Sequence, residues 1–171
     1  MKKLFKNIVN GFKMNVDYYK SVIDDDQRTY FCANEITEGG YILRNNTTKV
    51  VKANGSICSC TIVEFGEGKF IPCLYTDPLF YKLSIATQEF VIQHEMGHFN
   101  LHLDKLLSNK PIKRNIVMEF QADEFARDKV GTEDAIKALV ELRDIGIQMK
   151  FGFGKNSSYV EEIELRIQNL I

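Results

Sequence analysis

The segment His94-Glu95-Met96-Gly97-His98 constrains this chain more than any other. It lies in an apolar-periodic run from Leu83 to Leu103, where Leu83, Ala86 or Thr87, Phe90, Val91 and His94 recur at helical spacing. On a helix, positions 94 and 98 fall one turn apart on one face. Two imidazoles so placed can each give a nitrogen to one Zn²⁺ at about 2.0–2.1 Å. Glu95 sits beside the first of them, at an angle that does not suit the same metal but does suit taking a proton from a water on it. All three histidines of the chain, at 94, 98 and 102, share this helix face. A satisfied core histidine accounts for one such residue far better than for three in succession.

The rest of the composition sets the frame for that helix. The chain has 171 residues, 44% hydrophobic and 26% charged, which predicts one domain over 1–171 with a substantial core. With 22 basic and 23 acidic residues the net charge is −1, so no basic field points to direct nucleic-acid binding. No apolar run reaches the ~18–20 residues that span a bilayer. The N-terminus is basic (Met1-Lys2-Lys3-Leu4-Phe5-Lys6), but Lys6, Asn7, Asn10 and Lys13 interrupt any signal-peptide core, and a cytoplasmic location is expected. Cys58 and Cys60 form a C-x-C that is not a zinc ribbon by itself; they, Cys32 and Cys73 are expected as buried thiols.

The pattern along the chain is that of an α+β fold: a small antiparallel or mixed sheet in the N-terminal half, packed on the helix carrying the histidines and on further C-terminal helices. Residues 1–28 read as a helical segment, with Leu4, Phe5, Ile8, Val9 and Phe12 at helical spacing for packing on the domain, before the acidic turn Asp24-Asp25-Asp26. Residues 29–76 read as the sheet, with strands at 29–36, 40–44, 48–52, 57–65 and 69–75 separated by Gly39-Gly40, Asn45-Asn46, Asn54-Gly55 and Gly66-Glu67-Gly68. Such short turns predict antiparallel neighbours. Residues 77–171 read as the helical part. Asp77-Pro78 is expected to open the long helix, ending near His102. A helix over 113–130 follows Pro111 and stops at Gly131; Thr132 caps another that runs to about 145. After Gly152 and Gly154, Ser158 and Glu161 form a capping box for the last helix.

A catalytic zinc takes three protein ligands and keeps a fourth position for water. His102 lies two turns beyond His94, about 12 Å along the helix axis, too far to share one ion. It is expected in a packing or ligand-supporting role. The metzincin spacing also fails, since Leu101 and Asp104 stand where glycine and histidine are needed. Glu119, on the next helix, completes a His₂Glu set. Asp123 lies one turn further on the same face, where it can accept the outer N–H of a ligand histidine, and Ala122 is small enough to let two helices approach.

Gln93-His94-Glu95-Met96-Gly97-His98-Phe99-Asn100-Leu101-His102 with Glu119-Phe120-Gln121-Ala122-Asp123-Glu124-Phe125-Ala126 resembles the gluzincin metallopeptidases, and most closely those of the ImmA/IrrE type. The resemblance covers residues 83–128. Beyond it, Asp128-Lys129-Val130-Gly131-Thr132-Glu133 resembles instead the CAAX-prenyl protease and HtpX-like peptidases, which are membrane proteins. The resemblance implies a minimal zincin fold and a zinc endopeptidase acting on a protein or peptide, such as a transcriptional repressor of a phage or mobile element. It also implies substrate lying extended along an edge strand, either 57–65 or 69–75. In that chemistry His94, His98 and Glu119 hold the zinc, and Glu95 moves the proton from water to the leaving amine. The oxyanion donor stays open among Tyr75, Tyr81, His102, Arg127 and Tyr159. Two other readings stand beside this one: a zinc-bearing interaction or sensor module that cuts nothing, and a soluble relative of the CAAX-prenyl and HtpX-like peptidases.

Overall fold

The computed structural model describes residues 36–45, 57–64, 70–107, 115–149 and 158–171. The expected helical segment over 1–28, the strand 48–52, most of the strand 29–36, Cys32, and the breaks at Pro111, Gly152 and Gly154 lie outside them. The described elements are β1 (Ile42–Asn45), β2 (Cys58–Glu64), β3 (Phe70–Thr76), a 3₁₀ turn (Phe80–Lys82), α1 (Ile85–Leu107), α2 (Ile116–Val130), α3 (Thr132–Gln148) and α4 (Ser158–Leu170). This is the expected α+β class, with a small mixed sheet and four helices.

The sheet order is β1-β3-β2. β2 and β3 form the expected antiparallel pair, from Cys58 opposite Thr76 to Glu64 opposite Phe70. β1 departs from the antiparallel expectation: it runs parallel to β3, with Ile42 opposite Cys73. The short-turn rule does not govern this pair, because β1 and β3 are not neighbours in sequence. β3 is therefore the central strand. Its Pro72, which has no N–H to give, falls one residue before β1 begins to pair, where a ladder bond on that side is not required. Ahead of β1, Thr37–Gly40 makes a tight turn closed by Gly40 N–H donating to Thr37 O at 2.9 Å, with Gly40 at φ 78°.

Alternation along β3 separates two apolar groups. Leu74 joins Cys58 and Cys60 of β2 in the main core with Phe90 and Val91 of α1. Cys73 joins Ile42, with Ile36, Ile71 and Tyr75 packed beside them, in a second small cluster on the opposite face. Cys58, Cys60 and Cys73 are buried thiols as expected. Burial, with Glu95 the next contributor, pushes the thiols of Cys58 and Cys60 well up.

Asp77-Pro78 does not open the long helix. Asp77 instead accepts the Leu79 N–H through its side chain and the Phe80 N–H through its carbonyl, closing the turn before the 3₁₀ segment. α1 begins at Ile85, and Ser84 caps it by accepting the Thr87 N–H at 3.2 Å. Glu141 of α3 reinforces that end, accepting from Ser84 N–H at 2.9 Å, Ser84 Oγ at 2.7 Å and Thr87 Oγ1 at 2.5 Å. The helix also runs past His102 to Leu107, with non-helical backbone angles at His102 itself (φ −124°, ψ 16°).

α2 is capped by Asn115, whose side chain accepts the Val117 N–H at 3.0 Å. It stops at Gly131, whose φ of 93° only glycine adopts cheaply. Thr132 is not the cap of α3: that position is Gly131, without a side-chain bond, and Thr132 is already helical. α1 and α2 approach closely at Gly97. A Cβ added there would stand 3.0 Å from Ala122 Cα and 3.1 Å from both Ala122 O and Phe125 Cβ. The two helices thus come close across a glycine and an alanine, in the middle of the His94–His98 and Glu119–Asp123 stretches.

Candidate metal centre

The donors come from two helices. α1 supplies His94 and His98 at i and i+4, which puts their rings on one side of the helix, 4.7 Å apart between centroids. α2 supplies Glu119 from its first turn, brought close by the Gly97–Ala122 contact. His94 Nε2 lies 3.2 Å from His98 Nε2, Glu119 Oε2 lies 3.4 Å from His94 Nε2, and Glu119 Oε1 lies 3.6 Å from His98 Nε2. A tetrahedral ion with bonds of about 2.0–2.1 Å sets its donors about 3.3–3.4 Å apart. Glu119 turns one oxygen to each imidazole, and the spacing of the three groups is close to what such an ion needs. All three residues are buried, and they form the one group of this kind among the described residues. A buried His-His-Glu group able to hold a metal ion is therefore present, made of the three residues expected to form it.

The outer nitrogens of both histidines are also engaged. His94 Nδ1 lies 2.7 Å from Asp123 Oδ1, the pairing expected of Asp123, which is fully buried. A carboxylate can only accept, so Nδ1 keeps its proton and Nε2 is the nitrogen that can give up its proton to a metal. On the other side His98 Nδ1 lies 3.2 Å from His102 Nδ1, and His102 Nε2 lies 3.0 Å from Gln121 Oε1. One arrangement satisfies this run: the Gln121 carbonyl accepts from His102 Nε2, and His102 Nδ1 accepts from His98 Nδ1. His102 is thus committed to His98 and Gln121.

Sequence reasoning missed Arg166. It rises from α4, is 7% exposed, and forks onto Asp123 through Nε to Oδ2 at 2.7 Å and Nη2 to Oδ1 at 2.6 Å. Its Nη1 also comes within 3.7 Å of Glu119 Oε2. Nη2 stands 3.2 Å from His94 Nδ1; these are two donors sharing the acceptor Asp123 Oδ1. A signal for it exists in the sequence. Ile163, Arg166, Ile167 and Leu170 share the apolar stripe of α4, and a cation in such a stripe needs an anion opposite.

The charges follow from these contacts. Burial and the Arg166 guanidinium oppose a proton on His94, but Asp123 and Glu119 outweigh them and raise its pKa to about 9. Burial likewise opposes charge on Glu119, yet hydrogen bonds from His94 and His98 hold it well below the usual carboxylate range. Asp123 is lowered against the same burial, chiefly by Arg166. Glu95, next to His94, is 6% exposed and near enough to β2 for its charge to reach Cys58 and Cys60.

Four of the five oxyanion candidates are held in other contacts and the fifth lies on the far face of the sheet. Tyr75 belongs to the cluster on the sheet face opposite α1. Tyr81 bonds Asn45 and Thr76, Arg127 lies against Asp128, His102 is committed to His98 and Gln121, and the Tyr159 hydroxyl reaches Leu142 O at 3.5 Å.

No family model, curated protein or solved structure matches this chain. No described helix is long and apolar enough to cross a membrane.

Proposed function

We propose that this chain is a zinc-dependent endopeptidase with a minimal zincin fold, and the donor triangle beside a buried Glu95 is the observation that carries the reading. Borderline-soft imidazole nitrogens with one carboxylate suit zinc better than magnesium or calcium, which favour oxygen-only sets. When bound, zinc supplies Lewis-acid chemistry, lowering the pKa of water and polarising a carbonyl. His94, His98 and Glu119 provide the donors, and Asp123 keeps the His94 proton on Nδ1. Glu95 takes a proton from the attacking water and returns it to the leaving amine.

Among the described residues the sheet has two edge strands, β1 and β2, and β2 is the longer of them. β3 pairs on both of its edges, so 69–75 is not a place for substrate to add; among the described residues the outer edge of β2 is open. β2 is also the strand whose inward thiols feel Glu95. A protein segment adding antiparallel or parallel to β2 would bring its backbone past the proposed base. Regulatory proteins such as repressors of phages or mobile elements are the first substrates to try.

The test is metal content and cleavage on three proteins. The native chain is expected to bind one zinc and to cut a protein substrate, Glu119→Ala to lose zinc, and Glu95→Gln to keep zinc and lose cleavage. A Glu95→Gln protein with native turnover would sink the assignment of the base. A native protein that binds zinc but cuts no candidate substrate would favour a zinc-bearing interaction module.

A further inference from the structure

α4 packs into the main core through Ile163 and Leu170, both buried, with Ile167 beside them, and carries Arg166 between them. We propose that Arg166 is a positioning residue: by fixing the plane of the Asp123 carboxylate it aims the His94 imidazole at the metal, so that α4 is a working part of the metal centre.

The geometry requires an agent of this kind. A carboxylate turns easily about its last side-chain torsion, which is broad and roughly two-fold. His94 Nδ1 holds only Oδ1, at 2.7 Å, and a single contact does not stop that rotation. Arg166 adds Nε on Oδ2 at 2.7 Å and Nη2 on Oδ1 at 2.6 Å, two parallel bonds in one plane. A guanidinium fork and a carboxylate share that plane by construction, which a point charge does not impose. With Oδ1 pinned, the direction of the His94 N–H is set, and with it the direction of Nε2 on the far side of the ring. Arg166 stands 47 residues beyond Glu119 (166 − 119), so the orientation of His94 depends on a segment that supplies no donor.

A plainer account is that Arg166 only neutralises a buried acid. Lysine separates the two, because it keeps the charge and loses the fork. The inference uses the metal-centre reading for its affinity readout. Full-length native protein and Arg166→Lys are titrated with Zn²⁺ against a chromogenic chelator, and the His94 Nδ1–H signal is followed by ¹H–¹⁵N NMR with and without zinc. Arg166→Lys is expected to stay folded, bind zinc about 10-fold or more weakly, and show the His94 proton signal shifted or lost to exchange. Native affinity together with a native His94 signal in Arg166→Lys would overturn the proposal. Should the native protein bind no zinc, the metal reading fails by itself, and the His94 signal of the metal-free pair still decides the role of Arg166. Should Arg166→Lys not fold, the native protein decides: the Arg166 Nε–H must exchange slowly and lie close in space to the His94 ring proton, and free exchange of that Nε–H would overturn the proposal.

Discussion

Replacing Gly97 by alanine tests the fold and the site with one methyl group. Helix propensity alone favours the change, since alanine in a helix interior is better than glycine by about 1 kcal/mol. Packing opposes it. The new Cβ would stand 3.0 Å from Ala122 Cα and 3.1 Å from Ala122 O and Phe125 Cβ. Carbon atoms in ordinary contact keep about 3.5–4.0 Å, so α2 must retreat by about 0.5 Å or more. Two of the three atoms are backbone, which no rotamer change can move. Overpacking of this sort costs about 1–3 kcal/mol, which cancels or exceeds the propensity gain. The effect on metal is sharper. Glu119 lies one turn before Ala122 on the moving helix, and coordination distances tolerate only about ±0.2 Å. Gly97→Ala is therefore expected to be neutral to about 2 kcal/mol less stable in urea melts of the metal-free protein, and at least about 10-fold weaker for zinc in chelator competition. A variant more stable by about 1 kcal/mol with unchanged zinc affinity would show that α1 and α2 are not held together at this point.

Asp123→Ala is expected to weaken zinc about 10–100-fold while leaving all three donors in place, with Asp123→Asn between it and the native protein; native affinity in the alanine variant, by the same titration, would reduce the Asp123–His94 contact to coincidence. The raised pKa of His94, about 9 against an ordinary 6.5, makes metal and proton competitors. Zinc uptake near pH 7 should release a proton, and affinity should fall as pH drops below about 9; a pH-independent affinity from 6 to 9 would contradict this. The same shift has a sign for the metal-free fold: stabilisation by protonated His94 is complete below about 6.5 and lost as pH rises through about 9, to be read by urea melts in chelator. Glu119 and Asp123, both lowered, act in the opposite window, and their contribution is lost only on acidification through the carboxylate range.

The donor set was legible because its spacing is local. Positions 94 and 98 on one helix, and 119 and 123 on another, are fixed by helix periodicity whatever surrounds them. The β2–β3 pair was legible for the same reason, because only a short glycine-rich stretch of sequence separates the two strands. What sequence reasoning lost was set by distant partners. β1 lies parallel to β3 through a contact that no turn announces, and this also made β3 central and β1 and β2 the edge strands. Asp77-Pro78 carries a sound helix-start signal that a tight turn used first, leaving the true start to Ser84. Arg166 meets its acid across 43 residues, a pairing that the apolar stripe of α4 hints at and cannot locate.

The Glu141 carboxylate at the start of α1 has a consequence for how this molecule opens. Helix N-termini attract anions and are usually where a helix frays first. Here the anion is built in from α3: Glu141 accepts one backbone N–H and two hydroxyls there, and although burial works against its charge, these bonds hold its carboxyl below the usual range. The first turn of α1 is thereby closed to phosphate and other external anions. It also cannot unwind without breaking its hold on α3. Amide exchange at Thr87 and Gln88 should accordingly follow the opening of α3 as one cooperative unit instead of showing the fast exchange of a free helix end.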